Sequence, residues 1–254
     1  MIDLHSHILA GLDDGAKDQA ESLEMARAYW EMGFDQVVAT PHINEKSGYL
    51  PTGLEIAEKV KNLNQQIKDQ DIGIQIFPGA EYYMEGSFTG LAEQRWPMTS
   101  INGSFYILVE MPALFVNHNM GLSFFNSSVK NADLKKELPF LRLILAHPER
   151  NEEVIRKPEA YVQRFKEQGT YIQMNLYSLI GYYGKAVKKT AEEMLKTKMV
   201  DLIATDSHSA DQLRRNLPQA LERLEKLAGT KAIEVLLKVN PEKVLAGEPV
   251  EPFY

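Results

Sequence analysis

Residues 1–16 read MIDLHSHILAGLDDGA, and the run Ile2-Asp3-Leu4-His5-Ser6-His7 decides the fold. Its apolar start reads as a strand, yet the strand exits into two histidines and then Asp13-Asp14-Gly15. In an extended chain alternate side chains leave the same face about 7 Å apart. His5 and His7 can therefore grip one ion. A histidine pair alone is a weak sign, and its weight depends on what other strands carry at the same end.

Six further runs read as strands after Ile2–His7: Gln36–Pro41, Ile72–Glu81, Phe105–Met111, Leu141–His147, Tyr171–Leu176 and Asp201–Asp206. Most are near-continuous apolar runs, as parallel strands covered on both faces require. Helices are expected between them. Gln19–Met32 puts Leu23, Ala26 and Trp30 on one stripe and stops at Gly33. Leu54–Lys68 repeats apolar residues at Ile56, Val60, Leu63 and Ile67, and Pro158–Gln168 runs from a proline to Gly169. Ala186–Lys198, Leu217–Leu227 and Lys231–Val239 are also amphipathic, and Pro241 is expected to begin a C-terminal tail. Pro112–Pro139 is irregular and reads as loop with one irregular helix. Strand and helix alternate along all 254 residues, which predicts a single parallel α/β domain over 1–254. The length suits a β/α barrel. Seven strands fit a closed barrel or an open sheet, and pattern alone does not separate these.

The chain has no cysteine, so disulfides, thiolate metal sites and a cysteine nucleophile are excluded. Any metal must rest on His, Asp and Glu. A net charge of −7 argues against nucleic acid as the main partner. No targeting segment and no apolar run approaching the ~18 residues of a membrane span is visible. A cytoplasmic protein without membrane insertion is expected.

The strand exits carry the chemistry. In chain order they offer His5 and His7, then Asp13 or Asp14, His42, Glu81, Glu110, His147, Asp206 and His208, so five of the six histidines lie at such exits. Parallel α/β folds open all C-terminal strand ends onto one face, so these residues should converge. Nitrogen with carboxylate oxygen suits Zn, Mn or Fe, and so many ligands call for two or three ions. A lone strand-end histidine is more often a hydrogen-bonded core or surface residue, but five together are not explained that way. Glu81 and Glu110 end apolar runs, where an unpaired charge is costly; the bland alternative for each is a salt bridge with an arginine. His118, between two asparagines, reads as surface. Asp13 and Asp14 compete for one ligand role. Arg150, three residues after His147, is the natural phosphate contact, and Arg214 and Arg215 offer a second. Tyr82, Tyr83, Tyr177, Tyr182 and Tyr183 flank strand exits, and packing is expected for most of them.

MIDLHSHILAGLDDGA, VVATPH, PGAE, LVEMP, ILAHPER and LIATDSH follow the motif order of the polymerase and histidinol phosphatase (PHP) superfamily. Within it the chain resembles the bacterial tyrosine phosphatases of the capsule-regulating CpsB/CapC type over essentially its whole length. That resemblance implies a distorted seven-stranded parallel (β/α)7 TIM-like barrel with three divalent ions, often Mn2+, with Fe or Zn as alternatives. It implies a first ion on His5, His7, Glu81 and Asp206, a second on Glu81, Glu110 and His147, and a third on Asp14, His42 and His208. Arg150 and Arg215 would bind phosphate, and Asp206 or His208 would protonate a poor leaving group. The implied substrate is a phosphotyrosyl protein, with a polysaccharide-export tyrosine kinase as partner. The implied reaction is direct attack of a metal-activated hydroxide, without a covalent intermediate. Another PHP phosphatase, acting on histidinol phosphate or a similar phosphomonoester, or a phosphodiesterase, is the alternative.

Overall fold

The computed structural model describes residues 1–85, 88–116, 131–137 and 140–251. His118 and most of the irregular segment lie outside them. The described strands are β1 (Ile2–Ser6), β2 (Gln36–Ala39), β3 (His42–Ile43), β4 (Gln75–Pro78), β5 (Glu81–Tyr83), β6 (Tyr106–Glu110), β7 (Arg142–Ala146), β8 (Tyr171–Asn175) and β9 (Leu202–Ala204). The helices are α1 (Gln19–Glu31), α2 (Gly53–Asp69), α3 (Phe88–Arg95), α4 (Ala132–Glu137), α5 (Glu152–Arg156), α6 (Pro158–Glu167), α7 (Lys185–Lys196), α8 (Ala210–Ala228), α9 (Thr230–Glu234) and α10 (Asn240–Ala246).

All strand pairs are parallel, in a sheet ordered β1-β2-β4 and another ordered β3-β5-β6-β7-β8-β9. The seven expected strands thus become nine: a short β3 follows the second beyond its expected end at Pro41, and the third divides into β4 and β5. Pro41 has no N–H to donate and interrupts the run that holds β2 and β3. Gly79 and Ala80 interrupt the neighbouring run between β4, which ends at Pro78, and β5. A side chain at Gly79 would meet Val38 Cγ1 at 2.7 Å, so only glycine lets the two broken strands cross this closely. Between β1 and β9 the sheets meet at one parallel bridge, Ser6 to Ser207.

Alternation along the strands creates two apolar layers. Ile107, Val109, Leu143, Leu145, Ile172 and Met174 face one cluster that includes the helices. Ile2, Leu4, Val38, Leu108, Ile144 and Leu202 form the second, on the other face.

The helices depart from expectation in several places: α3 and α5 are unforeseen, Lys231–Val239 is divided after Glu234, and three further departures shape the packing. The buried face of α1 runs through Met25, Ala26 and Tyr29, while Trp30 is 45% exposed and lies against Gly73. The helix expected at Leu217 begins at Ala210. Ser209 caps it, accepting the Gln212 amide, and Leu213, Leu217, Ala220 and Leu224 form one buried stripe across Pro218. Pro241 opens no tail; it occupies the first turn of α10, where a missing N–H costs nothing. Val244 of α10 closes the second apolar cluster, and Tyr106 donates its hydroxyl to Glu248 O.

Candidate metal centre

The exits of β1, β6, β7 and β9, with His42 and Glu81 at the starts of β3 and β5, bring their polar side chains to one rim. His5 Nε2 lies 3.2 Å from His7 Nε2, 3.2 Å from Glu81 Oε2 and 3.4 Å from Asp206 Oδ1. His7 Nε2 lies 3.2 Å from Asp206 Oδ1. These four residues form one group able to hold an ion. His42, Glu81 and Glu110 form a second, and His7, Asp14, His42 and His208 a third. His147 stands outside these groups, but its Nε2 is 3.1 Å from Glu81 Oε1 and 4.0 Å from Glu110 Oε2. Glu81 therefore touches four imidazoles: His5, His7 and His42 with one oxygen, His147 with the other.

These residues fit divalent metal. Glu81 Oε2 and His42 Nδ1 are buried 3.0 Å apart, yet neither makes a well-aligned hydrogen bond among the described residues. Two such atoms are costly together unless a cation lies between them. The titration tendencies reflect how closely these charges are crowded. Burial opposes charge on His5, but Glu81 and Asp206 overcome it and raise His5 to about 9. Burial, then the Glu81 charge, pushes Glu110 up to about 8. Burial and the Arg150 charge lower His147, which favours the neutral imidazole a metal needs.

A second layer aims the ligands. Asp13 Oδ2 holds His7 Nδ1 at 2.6 Å and accepts the His42 amide, so Asp13 orients while Asp14 faces His42 and His208 at 3.6 and 3.7 Å. Gln173 Oε1 holds His5 Nδ1 at 2.8 Å. Each bond fixes the ring so that Nε2 faces the cluster. Gln173 and its neighbour Asn175 are buried in β8, and sequence reading missed both. Their signal was polarity at alternate positions of Tyr171-Ile172-Gln173-Met174-Asn175. His147, directly after β7, and Asp206, two residues after β9, adopt left-handed backbone with φ of 34° and 54°. That conformation turns each side chain back over the rim.

Arg150 reaches the rim. Its Nη1 donates to Asp206 Oδ2 at 2.9 Å, and its guanidinium lies 4.4 Å from the centre of the Tyr183 ring. Asn175 Nδ2 donates to both Asp206 Oδ2 and the Tyr183 hydroxyl. Tyr83, Glu110, Met111, His147 and Arg150 line a cleft beside the cluster. Tyr82 and Tyr177 are core residues and Tyr182 is exposed. Arg215 is not brought to the rim. It is exposed on α8 and paired with Asp211 at 2.8 Å, because Leu213 and Leu217 claim the buried face. Arg214 instead binds Glu24 of α1 at 2.8 Å. Glu149 is no ligand: it accepts from the Asn175 amide and the Ser178 hydroxyl, and burial raises it to about 7.

Comparison with known proteins agrees with this chemistry. The chain is 32% identical over 251 residues to the tyrosine-protein phosphatase YwqE of Bacillus subtilis (strain 168), covering 98% of this chain and 93% of that protein. A solved structure among those of YwqE from Bacillus subtilis and CpsB from Streptococcus pneumoniae, metal-dependent tyrosine phosphatases, superposes with a TM-score of 0.84. It is 30% identical, with 100% of this chain and 97% of that chain covered. Histidinol phosphate phosphatase from Lactococcus lactis, solved with Zn, L-histidinol and phosphate, shares the fold. Its TM-score is 0.55 at 12% identity, covering 90% of this chain and 93% of that one. A profile for capsular polysaccharide synthesis proteins, CpsB/CapC, matches residues 1–246, and the chain belongs to the CpsB/CapC family.

Proposed function

We propose that this chain is a metal-dependent protein-tyrosine phosphatase, a phosphoric monoester hydrolase. The observation that carries the reading is Glu81, a fully buried carboxylate in contact with four imidazoles, with Arg150 beside the same cluster. We assign three divalent ions, Mn2+ by preference, to the sets His5-His7-Glu81-Asp206, Glu81-Glu110-His147 and Asp14-His42-His208. When bound, such ions supply Lewis-acid activation of water and neutralise phosphoryl charge.

The side chains do the rest. Asp13 and Gln173 hold His7 and His5 in one tautomer, so the ligands are preorganised. Asp206 engages Nη1 of Arg150 and keeps the guanidinium plane on Tyr183, from where its remaining N–H groups can meet two phosphoryl oxygens. A phenol leaves with a pKa of about 10 and needs little proton assistance. Asp206 and His208 therefore serve first as ligands, and as proton donors only for poorer leaving groups. Arg215, paired away from the rim, is left out of this assignment.

We also read the nine strands as one distorted seven-stranded barrel, with the chain a single phosphatase domain. In support, β2 with β3, and β4 with β5, each behave as one strand broken once, and the Ser6 to Ser207 bridge joins β9 back to β1. The family's tie to capsular polysaccharide synthesis favours a tyrosine kinase of polysaccharide export as the protein substrate. No helix among the described residues is long and apolar enough to cross a membrane.

The test is turnover by the Mn2+-loaded chain on a phosphotyrosyl peptide, histidinol phosphate and an oligonucleotide. The peptide should be hydrolysed with the highest kcat/KM. Preference for either competitor would reject the substrate assignment, and no hydrolysis of any of them would reject the enzyme.

A further inference from the structure

Four of the nine assigned ligands flank the seam between β1 and β9: His5 and His7 on one side, Asp206 and His208 on the other. The backbone there is thinly joined. Beside the Ser6 to Ser207 bridge, Asp206 N donates to His5 O and His7 N to Ser207 O, both at 2.9 Å. One step below, the next contacts across the seam run through a side chain. Asp3 Oδ1 accepts the amide of His5 at 3.3 Å and the amide of Thr205, across the seam, at 3.0 Å. Asp3 Oδ2 lies 2.5 Å from the Thr205 hydroxyl and 2.7 Å from that of Tyr29, which α1 supplies. Asp3, Thr205 and Tyr29 are fully buried.

β1 is also irregular here. Its register against β2 moves from Asp3–Val37 to Ser6–Ala39, so β1 holds one residue more than its partner. A bulge leaves a backbone group without a ladder partner and re-aims the side chains around it. Inside this irregular stretch the His5 amide turns to Asp3 Oδ1. The re-aiming is visible too: Leu4 packs in the inner cluster, while His5, next in the chain, bonds Gln173 of β8. Ile172 and Met174, on either side of Gln173, face the outer cluster, so Gln173 points inward as Leu4 does. Consecutive residues of β1 thus serve one face.

We infer that Asp3 is a positioning residue for the metal centre: its carboxylate stands in for missing rungs between β1 and β9 and fixes the bulge that aims His5 and His7 at Asp206 and His208. This rests on the metal-site reading above. Asp3 touches no assigned ligand side chain; it acts through the His5 and Thr205 backbone and the Thr205 and Tyr29 hydroxyls.

The experiment is Mn2+ titration calorimetry on the full chain and on Asp3→Ala, Asp3→Asn and Thr205→Val, with melting curves in EDTA to establish folding. Asp3→Ala should bind Mn2+ about 10- to 100-fold more weakly, the range for lost outer partners of metal ligands. Asp3→Asn keeps an oxygen for the two amides and should recover most of that loss. Thr205→Val spares both amide contacts and should weaken binding less than Asp3→Ala. A folded Asp3→Ala with unchanged Mn2+ affinity overturns the inference, as does an Asn variant as weak as the Ala variant. Should Asp3→Ala not fold, the Asn variant decides: near-normal Mn2+ affinity with a weakened Thr205→Val supports the role, and a folded Asn variant that has lost Mn2+ rejects it. Failure of the unmodified chain to bind Mn2+ would instead reject the metal centre itself.

Discussion

Gly15 is the position where one added methyl should empty the site without unfolding the chain. A Cβ on Gly15 would lie 2.0 Å from the carbonyl oxygen of His7 and 2.5 Å from His7 Cβ. The Asp13-Asp14-Gly15 turn cannot simply swing away. Ala16 N donates to that same carbonyl at 3.0 Å, and Gly15 N donates to Asp13 Oδ1 at 2.9 Å. Ordinary carbon contacts begin near 3.5 Å, so the two segments must part by roughly 1.5 Å. Metal–ligand distances tolerate only about 0.2 Å. The separation moves His7, Asp14 and Asp13, which orients His7, all at once. Overpacking of this kind costs about 1–3 kcal/mol, which a domain stable by about 5–15 kcal/mol survives. Gly15→Ala should therefore keep its far-UV circular dichroism, retain fewer Mn2+ per chain by elemental analysis, and turn over phosphotyrosyl peptide at least about 10-fold more slowly. A folded Gly15→Ala with full metal content and unchanged kcat would refute the argument that this close approach sets the ligand geometry.

Other outcomes follow from the same geometry. His147→Ala should abolish hydrolysis and shift the melting temperature in EDTA little, because the imidazole contacts the rim and not the apolar clusters; wild-type rates would remove His147 from the centre. Arg150→Ala should raise KM for phosphotyrosyl peptide more than it lowers Mn2+ affinity, and unchanged kcat and KM would deny it a phosphate role. Chelation should stop turnover and Mn2+ should restore it, while iodoacetamide should have no effect because the chain has no cysteine. Inactivation by a thiol reagent would contradict a cysteine-free mechanism.

Much of the rim was legible in the sequence because parallel strands deliver their C-terminal ends to one side. His5, His7, His42, Glu81, Glu110, His147, Asp206 and His208 each end an apolar run, and that periodicity is local information. Less legible was anything set by a contact across sequence. Asp13 and Asp14 could not be told apart until His7 Nδ1 was seen on Asp13. Arg215 looked available because the sequence does not reveal that Leu213 and Leu217 turn it toward Asp211. The breaks at Pro41 and at Pro78-Gly79 were written in the sequence, but the apolar runs before them concealed them. Asp3 sits in plain view as a charge inside an apolar strand, and only its four donors reveal why it is tolerated.

The left-handed backbone at His147 and Asp206 sets two demands on the gene against each other. A glycine at either site would relax strain on the order of 1 kcal/mol and would erase a ligand in the same stroke. Screens that reward heat resistance alone should drift toward such replacements and return sturdy, inert proteins. Thermostabilising campaigns on this scaffold would do well to hold these two codons fixed and look for their gains elsewhere.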